Sequence, residues 1–389
     1  EQKIMNCWIR GEGELSVPAY LNGTADNLYQ KGLCLPSGYN LTEADLLEYR
    51  SKVFEVLVED GAGDSSKFKN ADYEEVGVTV EKRGAVYKDS NILVKINPFD
   101  EDGLKLIDKS HILICQLFHK SHPEIVKKIA EKGATIFSMD ALPRISRAQD
   151  MDVLSSQSNL AGYKAVIKGA YEMTKIFPLM MTAAGTITPS RVLIYGVGVA
   201  GLQAIATAKR LGAIVEATDI RMETKEQAES LGAKFITVDG NEEESDGGYA
   251  KAASEEYARK QKEAVNNSLF KADLVITTAM VPGRKSPVLI TEEQVKNMKN
   301  GAVIIDLAAA QGGNCALSKM NKTVIRNGVK IIGTTISPES VSTNASDLYA
   351  KNMFNFISYL TENNEFKWDL EDEITDETLI VKEGVIRKT

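Results

Sequence analysis

The sequence predicts an α/β protein of two doubly wound domains, the second of the dinucleotide-binding kind. Apolar runs bounded by turn residues recur along the whole chain and alternate with amphipathic helical patterns. This rhythm is typical of parallel strands joined by crossover helices. In the second half of the chain, six such runs are interleaved with helical segments, which is the strand number of the doubly wound nucleotide-binding fold.

Length and composition agree with this class. The chain has 389 residues, of which 43 % are hydrophobic and 26 % charged, as in a globular protein of two or three domains. The formal net charge of −8 gives no basic surface for nucleic acid, so no nucleic-acid partner is expected. The four cysteines include no C-x-x-C pair, which disfavours a zinc site and favours a reducing compartment. No metal site is therefore predicted.

Neither a membrane span nor a signal peptide is predicted. No run of about 18 apolar residues occurs. The first fifteen residues lack the basic and apolar regions of a secretory signal. Because the chain starts at Glu1 rather than Met, it is expected to be a processed product or a piece of a longer polypeptide.

The first domain is predicted to comprise residues 1–154 and 343–389. An amphipathic helix is expected at Glu124–Lys132, and a helix at Ala345–Thr361 is expected to pack back on this domain. Its predicted strands are Met5–Ile9, Val53–Val58, Ile92–Ile96, Ile112–Leu117 and Thr135–Ser138.

The second domain is predicted to comprise residues 155–342. From Ser155 to Met181 the sequence lacks strand alternation and its apolar residues fall at helical spacing. We expect one long helix there, with its last turns at Pro178. Six strands are predicted after it: Val192–Tyr195, Ile214–Thr218, Phe235–Val238, Leu274–Thr278, Val303–Leu307 and Val329–Gly333.

The segment RVLIYGVGVAGLQAIATAKRLGAIVEATD carries the most specific signal. Gly196, Gly198 and Gly201 form G-x-G-x-x-G, a pattern that is weak alone but here lies between a β-branched strand and an alanine-rich helix, Ala200–Leu211. The next strand ends in Asp219, 23 residues after Gly196. The alternative is a glycine turn with a solvated aspartate, which the agreement of all elements of the context disfavours. The second domain is therefore predicted to be a Rossmann domain.

Each residue of this pattern has a physical role. Gly196 makes the tight turn, Gly198 lets the backbone approach a pyrophosphate, and Gly201 allows the helix to pack closely on the strand. The helix N-terminus offers free N–H groups to phosphates. Asp219 can accept hydrogen bonds from both ribose hydroxyls and would repel a 2′-phosphate, so NAD is favoured over NADP. Arg221, two residues later, weakens that preference.

Three other features have both a functional and a structural interpretation. The polar segment from Asn241 to Ala264 is either a lid over a ligand, with Gly247-Gly248 as hinge and Tyr249 as cover, or a solvated insertion before a surface helix. Lys95 and His119 each lie at a strand end, where they serve either catalysis or structure.

The polar loop from Arg144 to Ser155 lies at the expected domain junction. Clefts between domains are preferred ligand sites, which favours a functional interpretation. The structural alternative is a salt-bridge cluster in which Asp152 and Ser155 cap the following helix.

The sequence closely resembles a known family over nearly its full length. The segments PRISRAQDMDVLSSQSNLAGYKAV, YGVGVAGLQAIATAKRLGA, ATDIR, GGYA, TTAMVPGRKSP and IIDLAAAQGGN are similar to the NAD(H)-binding domain of the proton-translocating nicotinamide nucleotide transhydrogenases. Alanine dehydrogenase shares the fold and is the relative to be excluded.

The resemblance implies site residues in both domains. The nicotinamide is expected to be presented by the loop with Arg144, Gln149 and Asp152, with Ser155 beside it. The residues implied to bind the rest of NAD(H) lie in the glycine turn, after the second strand, in the lid and at the end of the fourth strand: Gly196, Val197, Gly198, Val199, Gly201, Asp219, Ile220, Arg221, Gly248, Tyr249, Thr278 and Ala279.

The resemblance also implies partners. Similar proteins are homodimers that dock a domain holding NADP(H), and hydride passes directly between the two nicotinamides. A membrane-spanning domain in the same complex or polypeptide couples this transfer to proton movement. The chain is thus expected to be soluble and peripheral to a membrane, on its cytosolic or matrix side.

Two departures from related sequences bear on the reaction. The family's usual opening is poorly matched, with Gly32 where arginine is expected before the remnant Leu33–Pro36. Alanine dehydrogenases carry an acid in the run where this chain has Ala310. Hydride transfer between two nicotinamides needs ring alignment but no general acid or base, whereas reductive amination needs both. The leading hypothesis is thus a transhydrogenase component. A soluble amino-acid dehydrogenase using Lys95 and His119 is the runner-up, and a non-catalytic nucleotide sensor the third.

Overall fold

The computed structural model describes residues 6–10, 56–238, 255–281, 284–333, 341–362 and 365–388. The predicted lid residues Gly248 and Tyr249, and the segment Gly32–Pro36, lie outside the described residues. The chain divides into two compact units, Glu1–Gln157 with Val341–Thr389, and Ser158–Ser340. The domain boundaries expected at 154/155 and 342/343 stay a prediction.

The first unit alternates strands with short helices, as the sequence predicts. Its strands are β1 (Asn6–Arg10), β2 (Leu57–Glu59), β3 (Thr79–Glu81), β4 (Ser90–Lys95), β5 (Ile112–Cys115) and β6 (Thr135–Ser138). Its helices before residue 140 are α1 (Asn70–Glu75), α2 (Arg83–Lys88), α3 (Glu101–Leu106) and α4 (Pro123–Glu131). A 3-10 helix at Ser146–Met151 precedes α5 (Val153–Glu172).

Within the described residues, the sheet of the first unit has the order β19-β18-β6-β5-β4-β1-β2-β3, where β18 is Leu379–Lys382 and β19 is Val385–Ile386. Strands β4, β5 and β6 are parallel, whereas β1 is antiparallel to both of its neighbours. The side chains alternate between two buried layers, because successive strand residues point to opposite faces. Ile92 packs with residues of α10 (Ser342–Leu360), and Leu93 packs with residues of α2 and α4.

The second unit follows the order of a doubly wound sheet. Its parallel strands are β9 (Arg191–Tyr195), β10 (Ile214–Thr218), β11 (Lys234–Phe235), β12 (Leu274–Thr277), β13 (Val303–Asp306) and β15 (Val329–Ile332). Its helices beyond α5 are α6 (Val199–Arg210), α7 (Thr224–Ser230), α8 (Glu255–Leu269) and α9 (Glu292–Lys296). The predicted fold class is confirmed.

The strand order places the switch point of the second sheet beside the glycine turn. Over the described residues the order is β11-β10-β9-β12-β13-β15-β14, with β14 (Thr323–Arg326) as an antiparallel edge strand. The chain moves one way from β9 and the other way from β12, and ligands of such sheets bind outside the carboxyl ends at this reversal. Because Tyr195 pairs with Thr277, Gly196 and Thr278 leave the sheet side by side.

One difference from the sequence-based expectation has a clear cause. The long helix α5 ends at Glu172 instead of running to Pro178, because Lys330 of β15 donates to the Glu172 carbonyl (3.2 Å) and carboxylate (2.9 Å). Side chains that satisfy the last carbonyls of a helix favour its end. A hairpin of β7 (Met180–Thr182) and β8 (Gly185–Ile187) then follows.

The C-terminal segment, for which the sequence predicts no element after the helix at Ala345–Thr361, adds two strands to the sheet of the first unit. After α10 the chain forms a small ladder, β16 (Thr361–Glu362) with β17 (Glu365–Phe366), and then α11 (Glu373–Thr378). It returns as β18, which pairs antiparallel with β6. Within the described residues, no helix is long and apolar enough to cross a membrane.

Candidate functional site

The glycine turn after β9 has the geometry that the motif predicts. Gly196 has φ +92°, a conformation that strains side-chain-bearing residues. A Cβ on Gly201 would lie 1.9 Å from the Gly196 carbonyl oxygen, so only glycine allows α6 to start this close to the strand. A Cβ on Gly198, in contrast, would meet no atom within 4 Å. The turn thus packs tightly against its own backbone at Gly201 and leaves open space at Gly198.

Helix α6 begins at this open position. Gly198 is its N-cap residue and Val199 its first residue, and Val199 is partly exposed. The first N–H groups of a helix have no intrahelical partner and carry a partial positive charge, which suits a phosphate. The small residues Ala200, Ala204 and Ala208 recur every four positions and are buried, so α6 lies close to the sheet.

Asp219 lies directly beside this turn. Its side chain is 6 % exposed, and Oδ2 accepts a hydrogen bond from the Val197 N–H at 2.7 Å. Oδ1 accepts from the Arg221 backbone N–H at 2.9 Å, while Arg221 Nε and Nη2 each donate to one carboxylate oxygen at 3.1 Å. Ile220, between them, is almost fully exposed.

Hydrogen bonding keeps Asp219 ionised. Burial favours the neutral acid, but the Arg221 side chain and the backbone N–H groups of Val197 and Arg221 outweigh it, so the pKa is lowered. An ionised carboxylate next to the turn can accept hydrogen bonds from hydroxyl groups and repels a phosphate.

The end of β12 is held by internal hydrogen bonds. Thr278 Oγ1 donates to the Gly196 carbonyl at 3.0 Å, which ties the glycine turn to the neighbouring strand. Ala279 is paired on both sides with the buried amide of Asn314: its N–H donates to Oδ1 (3.0 Å) and its carbonyl accepts from Nδ2 (2.8 Å). Thr278 and Ala279 are both expected near the cofactor. These hydrogen bonds hold Thr278 against the glycine turn and fix the backbone of Ala279.

Asp306 organises the loop that carries Asn314, a role that the sequence did not reveal. Its carboxylate is 1 % exposed and accepts from Thr277 Oγ1 (3.0 Å) and from the N–H groups of Ala308 (3.0 Å), Asn314 (2.9 Å) and Cys315 (3.0 Å). The sequence does show a single acidic residue at the end of a strand, followed by Gly312-Gly313. It cannot show which N–H and O–H groups donate to the carboxylate of that residue.

The Arg144–Ser155 loop is anchored in the first unit by two buried residues. The 3-10 helix Ser146–Met151 places Ala148 and Met151 three residues apart on one face, where both are buried. Gln149 is exposed, and so is Arg144. Neither side chain hydrogen-bonds to another residue in the described segments of the chain.

The capping interpretation of Asp152 and Ser155 is also realised. Asp152 Oδ1 accepts from the Ser155 N–H at 2.9 Å, and the Ser155 hydroxyl donates to Oδ2. Arg147 forms an ion pair with Asp372 at 2.8 Å and donates to the Tyr359 hydroxyl at 3.0 Å. Asp152 and Arg147 therefore have structural partners, while no described residue engages the side chain of Arg144 or Gln149.

Lys95 and His119 lie at the carboxyl ends of adjacent parallel strands, β4 and β5. Lys95 is buried with its ammonium 5.1 Å from the centre of the Phe99 ring, and burial lowers its pKa. Burial also lowers the pKa of His119, whose Nδ1 has no partner among the described residues. Over the same residues, no cluster of three or more His, Cys, Asp or Glu side chains could hold a metal ion.

Both halves of the chain match the models of one known family. Residues 40–161 match the family model "Alanine dehydrogenase/PNT, N-terminal domain", and residues 165–389 match "Alanine dehydrogenase/PNT, C-terminal domain". The chain is 49 % identical to an NAD(P) transhydrogenase subunit alpha polypeptide of Rhodospirillum rubrum over 344 residues, which cover 86 % of this chain and 90 % of that protein.

A solved structure and a more distant relative complete the comparison. The crystal structure of a transhydrogenase from Sinorhizobium meliloti superposes with a TM-score of 0.81 at 36 % identity, covering 97 % of this chain and 99 % of that one. Alanine dehydrogenase of Bacillus subtilis is 28 % identical over 278 residues, which cover 70 % of this chain and 67 % of that protein.

Proposed function

This chain belongs to the alanine dehydrogenase/PNT family, and from that membership we propose that it is the NAD(H)-binding component of a nicotinamide nucleotide transhydrogenase. It passes hydride directly between NAD(H) on its own Rossmann unit and NADP(H) on a partner domain. The observation that carries this proposal is the glycine turn with Asp219 beside it, in a chain whose relatives at 49 % and 36 % identity are transhydrogenases.

The residues at the turn fit NAD. Open space at Gly198 admits a pyrophosphate to the backbone, the N-terminus of α6 favours its charge, and ionised Asp219 accepts ribose hydroxyls. Val197 and Val199 flank Gly198 in the turn, and Gly196 and Gly201 hold its shape. Ile220 and Arg221 are proposed to adjoin the adenosine, and Gly248 and Tyr249 to cover it.

The nicotinamide of the bound cofactor supplies or accepts the hydride. The chain's own residues bind and orient that ring, and we assign this task to the Arg144–Ser155 loop. Arg144 and Asp152 are proposed to hold the carboxamide, with Ser155 fixing the Asp152 carboxylate. The exposed Gln149 amide can hydrogen-bond outward to the partner's nucleotide. No residue has to move a proton to or from the reacting carbon, so alignment in a water-excluded site is the main requirement.

Three finer proposals concern assembly. The partner is an NADP(H)-binding domain, and the complex includes a membrane-spanning domain that couples hydride transfer to proton translocation, with this chain peripheral to the membrane on its cytosolic or matrix side. The chain itself is proposed to form a homodimer. The exposed hairpin β7–β8 supports this, because every one of its six strand residues is exposed and isolated hairpins are only marginally stable in water.

A second function rests on Lys95 and His119, which follow adjacent strands as a substrate pair of an amino-acid dehydrogenase would. Against it stands Ala310, an exposed residue in the loop organised by Asp306, at the position where alanine dehydrogenases carry an acid. A nucleotide sensor without catalysis is the third possibility.

The test combines binding with turnover. The purified chain should bind NADH well above NADPH, and Asp219→Ala should weaken NADH binding by roughly 1.5–3 kcal/mol, the value of hydrogen bonds to a charged group. An NADP(H)-binding transhydrogenase domain should be required for NADH to reduce thio-NADP⁺. Equal affinity for NADH and NADPH would contradict the site, alanine-dependent NADH formation would favour the second function, and binding without transfer would favour the sensor.

A further inference from the structure

The carboxylate of Asp219 has a full set of protein hydrogen-bond donors. A carboxylate offers about four acceptor positions, and four donors within the described residues meet this one. Two are backbone N–H groups, Val197 on Oδ2 and Arg221 on Oδ1, and the fold fixes both. The other two belong to the Arg221 guanidinium, one on each oxygen.

We infer that the Arg221 guanidinium occupies the two acceptor positions that a ribose 2′,3′-diol would take, so that Arg221 opposes ribose binding and must leave Asp219 before a nucleotide engages it. A vicinal diol presents two O–H donors and needs one position on each carboxylate oxygen, which are the positions that Nε and Nη2 fill. This inference rests on the proposed function, since it takes the ligand to be an adenine nucleotide with a free diol.

The surroundings of the pair allow this exchange. The Asp219 side chain is 6 % exposed beneath an Arg221 side chain that is 51 % exposed, so the guanidinium covers the carboxylate and can swing into solvent. Glu223, which is exposed, attracts Arg221 electrostatically and offers it a second partner after release. The backbone contacts to Asp219 do not depend on the guanidinium and keep the carboxylate in place.

A thermodynamic cycle isolates the contact between Arg221 and the diol. Affinities of the full chain for ADP and for 2′,3′-dideoxy-ADP are measured by calorimetry in wild type and in Arg221→Ala. Stacking or phosphate contacts of Arg221 affect both ligands equally and cancel in the ratio. Since exposed ion pairs contribute up to about 1 kcal/mol, the preference for ADP over its dideoxy analogue should rise about two- to fivefold in Arg221→Ala.

Two further variants control the measurement. Arg221→Lys keeps the charge but replaces the planar fork, which matches both carboxylate oxygens, with a compact ammonium, so its preference should fall between those of wild type and Arg221→Ala. Arg210→Ala removes an exposed positive charge from the last turn of α6 and should leave the preference at the wild-type value.

The outcomes separate this inference from the proposed function. A preference for ADP that is unchanged or reduced in Arg221→Ala, while Asp219→Ala still weakens NADH binding, would overturn the competition and leave the NAD site standing. Absence of NADH binding to the wild-type chain would overturn the proposed function and this inference together.

Discussion

Asn314 is buried, and its side-chain amide forms with Ala279 the pair of backbone hydrogen bonds that a neighbouring strand would form. Its two ends pair with the N–H and carbonyl of Ala279, and Nδ2 also donates to the Pro287 carbonyl at 2.8 Å. Asn314→Ala would leave these partly buried peptide groups without that partner, so the free energy of unfolding should fall by about 1–3 kcal/mol. Urea denaturation measures this loss.

A matched asparagine provides the control for that prediction. Asn297, the C-cap residue of α9, is exposed, and within the described residues its side chain donates only to the Glu293 carbonyl, so Asn297→Ala should change the unfolding free energy by less than about 0.5 kcal/mol. Equal effects of the two substitutions would show that the Asn314 clamp contributes nothing beyond an ordinary surface contact.

A substitution of Gln149 tests whether the Arg144–Ser155 loop orients the nicotinamide. Its amide is exposed while its neighbours Ala148 and Met151 are buried, so the backbone should tolerate a shorter side chain. Gln149→Asn shortens the reach by one methylene, and a misplacement near 1 Å can reduce the rate by about 10²-fold. Partner-dependent hydride transfer should therefore fall while NADH affinity changes little.

The control for Gln149 is Asp150→Asn, whose exposed side chain has no hydrogen bond within the described residues and whose carbonyl accepts from Asn352 at 2.7 Å and from Asn355 at 3.2 Å. That variant should retain both rate and affinity. If Gln149→Asn lost affinity in step with rate, Gln149 would be a cofactor ligand only. If it retained both, the loop would be a helix cap and ion-pair cluster without a catalytic task.

At the scale of elements, α5 depends on its N-terminal cap. Asp152 Oδ1 accepts the Ser155 N–H, one of the helix N–H groups that lack an intrahelical partner. Asp152→Ala should lower the unfolding free energy by about 0.5–2 kcal/mol, and Asp152→Asn, which keeps an acceptor, should restore most of it. Thermal and urea denaturation measure both variants. Full stability of Asp152→Ala would contradict the cap.

The amino ends of β9 and β12 are joined by a partly buried carboxylate, that of Asp273. Asp273 accepts from the Arg191 N–H (2.8 Å), Lys299 Nζ (2.8 Å) and Lys175 Nζ (3.1 Å). Burial tends to raise the pKa of Asp273, but these three donors outweigh it and the pKa is lowered. The ionised form therefore stabilises the fold.

The lowered pKa of Asp273 predicts how the stability of Asp273→Asn changes with pH. A carboxyl group with a depressed folded pKa contributes stability above its unfolded pKa of 3.8, and that stability is lost as pH falls through the folded pKa. The difference in free energy of unfolding between wild type and Asp273→Asn should be largest at neutral pH and should become smaller below about pH 4. Glu131→Gln, at an exposed position of α4, is the control. A difference independent of pH would contradict the assignment.

For the whole molecule, the β7–β8 hairpin predicts the oligomeric state. Met181 is 78 % exposed and, like Leu179 and Ile187, offers apolar surface that solvent disfavours. Wild type should sediment as a dimer at micromolar concentration. Met181→Glu should shift it toward monomer, whereas Gln227→Glu, at an exposed position of α7, should leave the dimer intact. A wild-type chain that sediments as a monomer would contradict the homodimer.

Most of the second unit could be predicted because its signals are local. The strands β9, β10, β12, β13 and β15 begin and end within one residue of the predicted bounds, since each is a short apolar run between turn residues. Edge strand β14 and the hairpin β7–β8 were missed. Their burial patterns are mostly or wholly exposed, so no apolar run marks them.

By itself the sequence determined the fold class, the nucleotide turn and the placement of Asp219 next to it. These depend on residues close in the chain, where glycine conformation and strand periodicity act directly. The sequence also determined the family, through segments that span both units.

Only the tertiary structure decided which polar groups meet. Lys330 ends α5 at Glu172 from 158 residues away, and Asp306 gathers the loop that brings Asn314 to Ala279. Arg221 shows the same limit at short range, because two residues of separation do not reveal whether a guanidinium covers a carboxylate or points to solvent. Buried polar groups must find partners, and the partner is chosen by the packing of the whole unit rather than by the local sequence.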